Sequence, residues 1–167
     1  NDFEDLLREL LAVPLLFDYV HLRPKFKKAS DHLELELCDI LVEYKPLAIP
    51  IQLKSQGVLR KDARDWIRKE TAKATKQVLG AIRSLRCNHA IVDNPRTGKS
   101  EFPPKTLVAK HGIIILDYSG EPLPLPKTCF RRTKDNIPLH YFTFTDFFKL
   151  CQQLMTLPDL VDYLDKR

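Results

Sequence analysis

Apolar residues recur along the chain with two different periods, and each change of period marks an element. Phe3, Leu6, Leu7, Leu10 and Leu11 fall at helical spacing between Asp2, placed to cap, and Pro14, placed to stop, which predicts a short first helix over residues 3–12. Across residues 32–44 the pattern becomes alternation, with Leu33, Leu35 and Leu37 set against Glu34, Glu36 and Cys38, and then turns apolar at Ile40, Leu41 and Val42. That pattern predicts one strand running from a half-exposed edge into a core. Lys45-Pro46 predicts a turn, and residues 47–54 a partner strand ended by Gly57, so the two form a hairpin.

Helical spacing returns with Ala63, Trp66, Ile67, Ala74, Val78, Ala81, Ile82 and Leu85, which predict the longest helix, over about 62–85. A short buried strand at 89–93 follows, then a polar loop at 94–105 expected to be mobile, then a strand around 113–116. Three prolines and a glycine make 119–128 an irregular connection, and 137–144 reads as a last strand. Thr145 is expected to cap a helix reaching about residue 155, and Thr156 with Asp159 forms a capping box for a final helix. Helix, strands, helix, strands and helices give an α/β fold class, with no internal repeat and no low-complexity segment.

Composition narrows the class. With 167 residues, 44% hydrophobic and 29% charged, the chain has the make-up of one folded domain over 1–167, with a core at 3–118 and a C-terminal strand and helices at 137–167. It reads as a piece excised from a longer protein. No apolar run approaches the roughly 18 residues of a membrane-spanning helix. Cys38, Cys87, Cys129 and Cys151 are widely separated with no C-x-x-C pair, so they are expected to be reduced thiols, small and buried. The acidic, amphipathic start lacks the form of a signal peptide, and together these features point to the cytoplasm.

Charge changes the picture more. Between residues 60 and 86 nine basic side chains (Arg60, Lys61, Arg64, Arg68, Lys69, Lys73, Lys76, Arg83 and Arg86) face three acids (Asp62, Asp65 and Glu70), a local excess larger than the whole chain's +5. Smaller patches run through Arg23, Lys25, Lys27 and Lys28, and through Lys127, Arg131, Arg132 and Lys134. Such clustering suits either a solvated helix face or a surface that binds a polyanion.

Three side chains carry the chemistry. Asp39 lies in the first strand of the hairpin, and Gln52 and Lys54, two residues apart, share a face near the end of the second. A carboxylate, an amide oxygen and an ammonium then converge in an oxygen-rich site with few protein ligands, which suits Mg²⁺. Other candidates carry less. Thr97-Gly98-Lys99-Ser100 lacks the first glycine of a phosphate-binding loop and is rejected. His21, His32, His89, His111 and His140 form no close pair in sequence and are expected to be structural. Trp66 and the group Tyr141, Phe142, Phe144, Phe147 and Phe148 are expected to be core rather than base-stacking surfaces.

Asp39 followed by Ile51-Gln52-Leu53-Lys54 resembles the PD-(D/E)XK nuclease superfamily, in particular its Mrr-like restriction endonuclease branch, where glutamine replaces the second acid. The resemblance extends to Phe3-Glu4 on the first helix and to Gln77 on the long helix. It implies a restriction-endonuclease-like core, a central mixed β-sheet flanked by helices. It further implies Asp39, Gln52, the carbonyl of Leu53 and Glu4 as ligands of Mg²⁺, for which Mn²⁺ can substitute, with Lys54 catalytic and Gln77 facing the site. The activity implied is hydrolysis of phosphodiester bonds, DNA being the expected substrate, held through its phosphates by Arg60, Lys61, Arg64, Arg68, Lys69, Lys73 and Lys76. Cys38 stands where the family has proline, and Gln52 leaves metal affinity resting on Asp39 and Glu4. The alternative is a catalytically inert nuclease-like module that binds nucleic acid or protein within a larger defence or repair system. Both readings admit a homodimer and a further domain or ATPase partner.

Overall fold

The computed structural model describes residues 17–28, 33–56, 63–118, 130–132, 136–154 and 156–167. The expected first helix with Glu4, the whole connection at 119–128, and His32, Gly57, Arg60, Lys61, Cys129 and Lys134 lie outside the described residues. In chain order, a 3-10 turn at Phe17–Tyr19 leads into β1 (Val20–Leu22), β2 (Lys25–Lys27), β3 (Glu34–Glu36), β4 (Ile40–Tyr44) and β5 (Leu47–Ser55). The long helix α1 (Ala63–Cys87) follows, then β6 (His89–Asn94), β7 (Gly98–Phe102), β8 (Val108–Ala109) and β9 (Gly112–Asp117). The chain closes with β10 (Phe130–Arg132), β11 (Pro138–Thr143), α2 (Phe144–Gln153) and α3 (Leu157–Lys166).

Seven strands form a mixed sheet in the order β1-β4-β5-β9-β11-β10, with β8 also pairing β5. The β4–β5 hairpin is antiparallel, whereas β5, β9 and β11 run parallel. A second, antiparallel sheet has the order β3-β2-β6-β7. The main sheet is covered on both faces, which explains the continuous apolar run in β9: Ile114 and Leu116 pack toward α1, while Ile113 and Ile115 pack toward α2 and α3. All four are fully buried, and each such side chain contributes about 1.5–3 kcal/mol. On the α1 side, Trp66, Ile67, Ala74, Val78, Ala81, Ile82 and Leu85 fill the core, as their spacing predicts.

The strand expected over 32–44 is two strands in different sheets. Leu37 N donates to Pro24 O at 2.7 Å and Arg23 N to Asp39 O at 2.8 Å, so the chain crosses from one sheet to the other at 37–39. Leu37 and Cys38 are consecutive and both buried, which a continuous strand beside solvent would not allow. The loop expected at 94–105 is largely a hairpin, with β7 pairing β6 from Ala90↔Phe102 to Asn94↔Gly98. Its turn is built by Asn94, whose Oδ1 accepts from Arg96 N and Thr97 N, and by Gly98 at φ +78°. Thr97 to Ser100 thus belong to a β-turn and an edge strand rather than a phosphate loop. Thr143, not Thr145, caps α2, its hydroxyl accepting from Asp146 N at 3.0 Å. Thr156 caps α3 as expected, accepting from Asp159 N. No helix among the described residues is long and apolar enough to cross a membrane.

Candidate functional site

The hairpin register builds the site. Ile40 pairs with Ile51, so one further step sets Asp39 opposite Gln52. Alternation along β5 sends Ile49, Ile51 and Leu53 to the α2 and α3 side and Ala48 to the α1 side, which directs Gln52 and Lys54 toward α1. Asp39 Oδ2 accepts from Gln52 Nε2 and from Leu53 N, the latter at 2.6 Å. A strand residue's N–H and C=O point to the same side in the sheet plane, so the Leu53 carbonyl also looks toward Asp39. Gln52 is buried and Lys54 half-buried. The structure thus brings together Asp39, Gln52 and Leu53, with Lys54 one step further along the same strand face.

Packing sets where α1 lies over the site. Thr75 Oγ1 lies 3.0 Å from the hydroxyl of Tyr141, a residue in register with Ile114 and through it with Gln52, and Lys105 N bonds Leu85 O at 3.1 Å where β8 runs beside the start of β5. The helix therefore runs antiparallel to β5, with its first turns over the Gln52 and Lys54 end. Arg64, Arg68, Lys69, Lys73 and Lys76 are all exposed on it. Asp65 engages two of them, Arg68 at 2.6 Å and Lys69 at 2.7 Å, and those hydrogen bonds hold its carboxyl below the usual range. Gln77, expected to face the site, is exposed on α1 and makes none of the hydrogen bonds at Asp39.

Two polar neighbours escape the sequence reading. Gln56 N continues the β5–β9 ladder by bonding Asp117 O at 2.9 Å, which puts its side chain on the Gln52 and Lys54 face, and it is buried with neither amide atom hydrogen-bonded. The alternation Gln52, Lys54, Gln56 is the signal that could have found it. Arg23 lies beside Asp39 on β1's side, a position only the fold reveals. Cys38 is inert by comparison: burial, then the Asp39 charge, pushes its thiol well up, and Sγ donates to Ile40 O. Cys151 is buried too, but Cys87 is exposed, contrary to expectation; all three are free thiols.

The histidines also depart from expectation, since two meet in space. His111 Nδ1 lies 3.1 Å from His140 Nε2, and His111 Nε2 lies 3.2 Å from Asp165 Oδ1, at the starts of β9 and β11, the end of the sheet away from Lys54. Burial, with His111 and Arg167 beside it, pushes His140 down to about 4. His21, also buried, contacts Glu43 at 3.1 Å. The aromatic expectation holds for Trp66, Tyr141, Phe142 and Phe147, which are core.

As a metal site, the donor set is oxygen-only: a carboxylate, an amide oxygen left over when Gln52 uses its NH₂ on Asp39, and a backbone carbonyl. No three His, Cys, Asp or Glu side chains converge at ligand spacing among the described residues. An oxygen-only donor set of this kind fits Mg²⁺ or Mn²⁺ and not a nitrogen- or sulfur-loving ion.

No family model and no curated protein sequence matches the chain. Among solved structures it is similar to the small subunit (R.BspD6I2) of the heterodimeric restriction endonuclease R.BspD6I, with a TM-score of 0.58 and 16% identity over 99% of this chain and 78% of that one. The fold is restriction-endonuclease-like, a mixed α/β core with a central sheet flanked by helices.

Proposed function

We propose that this chain is a metal-dependent nuclease that hydrolyses phosphodiester bonds in DNA. The observation that carries the reading is the Asp39 carboxylate, gripped by Gln52 and Leu53 N on a restriction-endonuclease-like sheet, with Lys54 on the same strand face as Gln52. Gln52 in place of a second acid supports assignment to the Mrr-like branch.

In this mechanism Asp39, the Gln52 amide oxygen and the Leu53 carbonyl would hold Mg²⁺, for which Mn²⁺ could substitute, and Glu4 would serve as an outer acid. When bound, the ion supplies an activated water and neutralises charge at the phosphate. Gln52 and Leu53 N fix the carboxylate's orientation before any ligand arrives. Lys54 offsets negative charge as it develops on the phosphorus oxygens, and its half-burial strengthens that effect over an ammonium in water. The exposed cations of α1 hold the duplex by its phosphates, which gives affinity without sequence information.

The neighbouring structure belongs to a heterodimeric enzyme, and we extend that to this chain as action with a second subunit, a further copy or a larger partner. The free thiols support work in a reducing cytoplasm. A second reading, an inert nucleic-acid-binding module, is favoured by Asp39 being the one acid of the hydrogen-bonded group among the described residues.

Incubation of supercoiled plasmid and of a labelled single strand with Mg²⁺, Mn²⁺ or EDTA separates the two. Metal-dependent cutting that Gln52→Glu preserves at lower Mg²⁺ supports the nuclease. Binding without cutting in every metal supports the inert module.

A further inference from the structure

We propose that Arg23 forms a phosphate subsite beside Asp39, where its guanidinium grips a backbone phosphate of the polynucleotide lying across the site. The inference deepens the nuclease reading and rests on it. Leu22 pairs with Ile40, so the β1–β4 register continues to Arg23 alongside Asp39, and Arg23 N donates to Asp39 O at 2.8 Å. The next residues are pinned as well, Leu37 N bonding Pro24 O at 2.7 Å, so the arginine is held at one place against the acid.

Its backbone is strained there. Arg23 has φ +43°, the left-handed region that glycine enters freely and other L-residues avoid, and the proline that follows narrows its choices further. A guanidinium occupies a position whose backbone asks for glycine, and strain of this kind gathers at ligand clamps. Arg23 is exposed, within reach of a ligand from solvent, whereas Asp39 is half-buried.

Strand order completes the argument. β1, β4 and β5 are neighbours, so Arg23 and the Gln52–Lys54 strand flank Asp39 at one strand spacing each, about 4.8 Å. A phosphate approaching the carboxylate meets positive charge on both sides. Arginine's planar fork matches two phosphate oxygens at once, which a lysine at that place cannot reproduce.

The test is fluorescence anisotropy of a labelled 20-base-pair duplex and a matching single strand with the full chain, in EDTA and in Ca²⁺, across a salt titration. Arg23→Gly removes the guanidinium and relieves the backbone, Arg23→Lys keeps the charge alone, and Lys166→Gln at the exposed end of α3 is a charge-matched comparison. The expected result is about tenfold weaker binding by Arg23→Gly and a salt slope shallower by about one. Arg23→Lys restores the slope but only part of the affinity, and Lys166→Gln changes neither. Wild-type affinity and slope in Arg23→Gly, or an equal loss in Lys166→Gln, overturns the subsite. Cleavage by the same proteins in Mg²⁺ is read separately. Arg23-dependent binding without cutting defeats the nuclease chemistry alone, whereas cutting indifferent to Arg23 defeats the subsite alone.

Discussion

Leu53 N lies 2.6 Å from Asp39 Oδ2, so a backbone amide of β5 holds the carboxylate that precedes β4. The acid is therefore positioned by the hairpin itself. A one-residue slip of the hairpin register would carry Gln52 and Lys54 to the opposite face of the sheet and dismantle the site. The hairpin's apolar pairs, Ile40↔Ile51 and Val42↔Ile49, fix that register through burial.

Removing the acid has separable effects on activity and stability. Asp39→Asn keeps an oxygen for Leu53 N and is expected to lose cleavage while staying within about 1 kcal/mol of wild-type stability. Asp39→Ala leaves that part-buried donor unpaired and costs about 1–3 kcal/mol. Urea denaturation of both variants reads the difference, and equal stabilities would show that the hydrogen bond contributes little.

The cations of α1 are not equivalent. Asp65 holds Arg68 and Lys69, while Lys73 and Lys76 make no such pairs with described residues. Lys73→Ala and Lys76→Ala are expected to reduce the salt slope of DNA binding by about one each, and Arg68→Ala and Lys69→Ala by less. Four equal slopes would mean that Asp65 gives way to phosphate without cost.

Gly112 packs the start of β9 tightly against α1. A Cβ built there meets Val78 Cγ1 at 2.5 Å and Leu139 Cδ2 at 2.7 Å, both on side chains locked in the core. Gly112→Ala is expected to destabilise by about 1–3 kcal/mol. Adding Val78→Ala removes one clash and should make the double mutant lose less than the two single losses summed, as a double-mutant cycle by chemical denaturation would show.

Acid sensitivity follows from His140. Burial lowers its value in the folded protein to about 4 from the ordinary 6.5. Between those values the unfolded chain binds a proton that the folded chain refuses, so stability is full above about 6.5 and falls as pH drops toward 4. His140→Gln should flatten that limb of a melting-temperature profile. An unchanged limb would assign the acid loss to carboxylates.

The elements most legible in the sequence were those carrying one unbroken signal. The buried face of α1 follows from its single apolar stripe, and β5 and β9 from apolar runs that are buried on both faces of the sheet. What escaped was set by partners distant in the chain. The break between β3 and β4 depends on Arg23 and Pro24, β7 depends on a turn wound by Asn94, and His111 meets His140 only because β9 and β11 pair in parallel. The Asp39, Gln52 and Lys54 group was readable because one hairpin carries it. Gln56 and Arg23 join it through β9 and β1, which local patterns do not reveal.

The central claim is that Asp39 and Lys54 belong to one hydrolytic site. Single-turnover cleavage of supercoiled plasmid in saturating Mg²⁺ by wild type, Asp39→Ala and Lys54→Ala tests it most directly. The account predicts metal-dependent cutting by wild type and at least a roughly hundredfold loss in each variant, with DNA binding in EDTA retained. Cutting by either variant at the wild-type rate would contradict it.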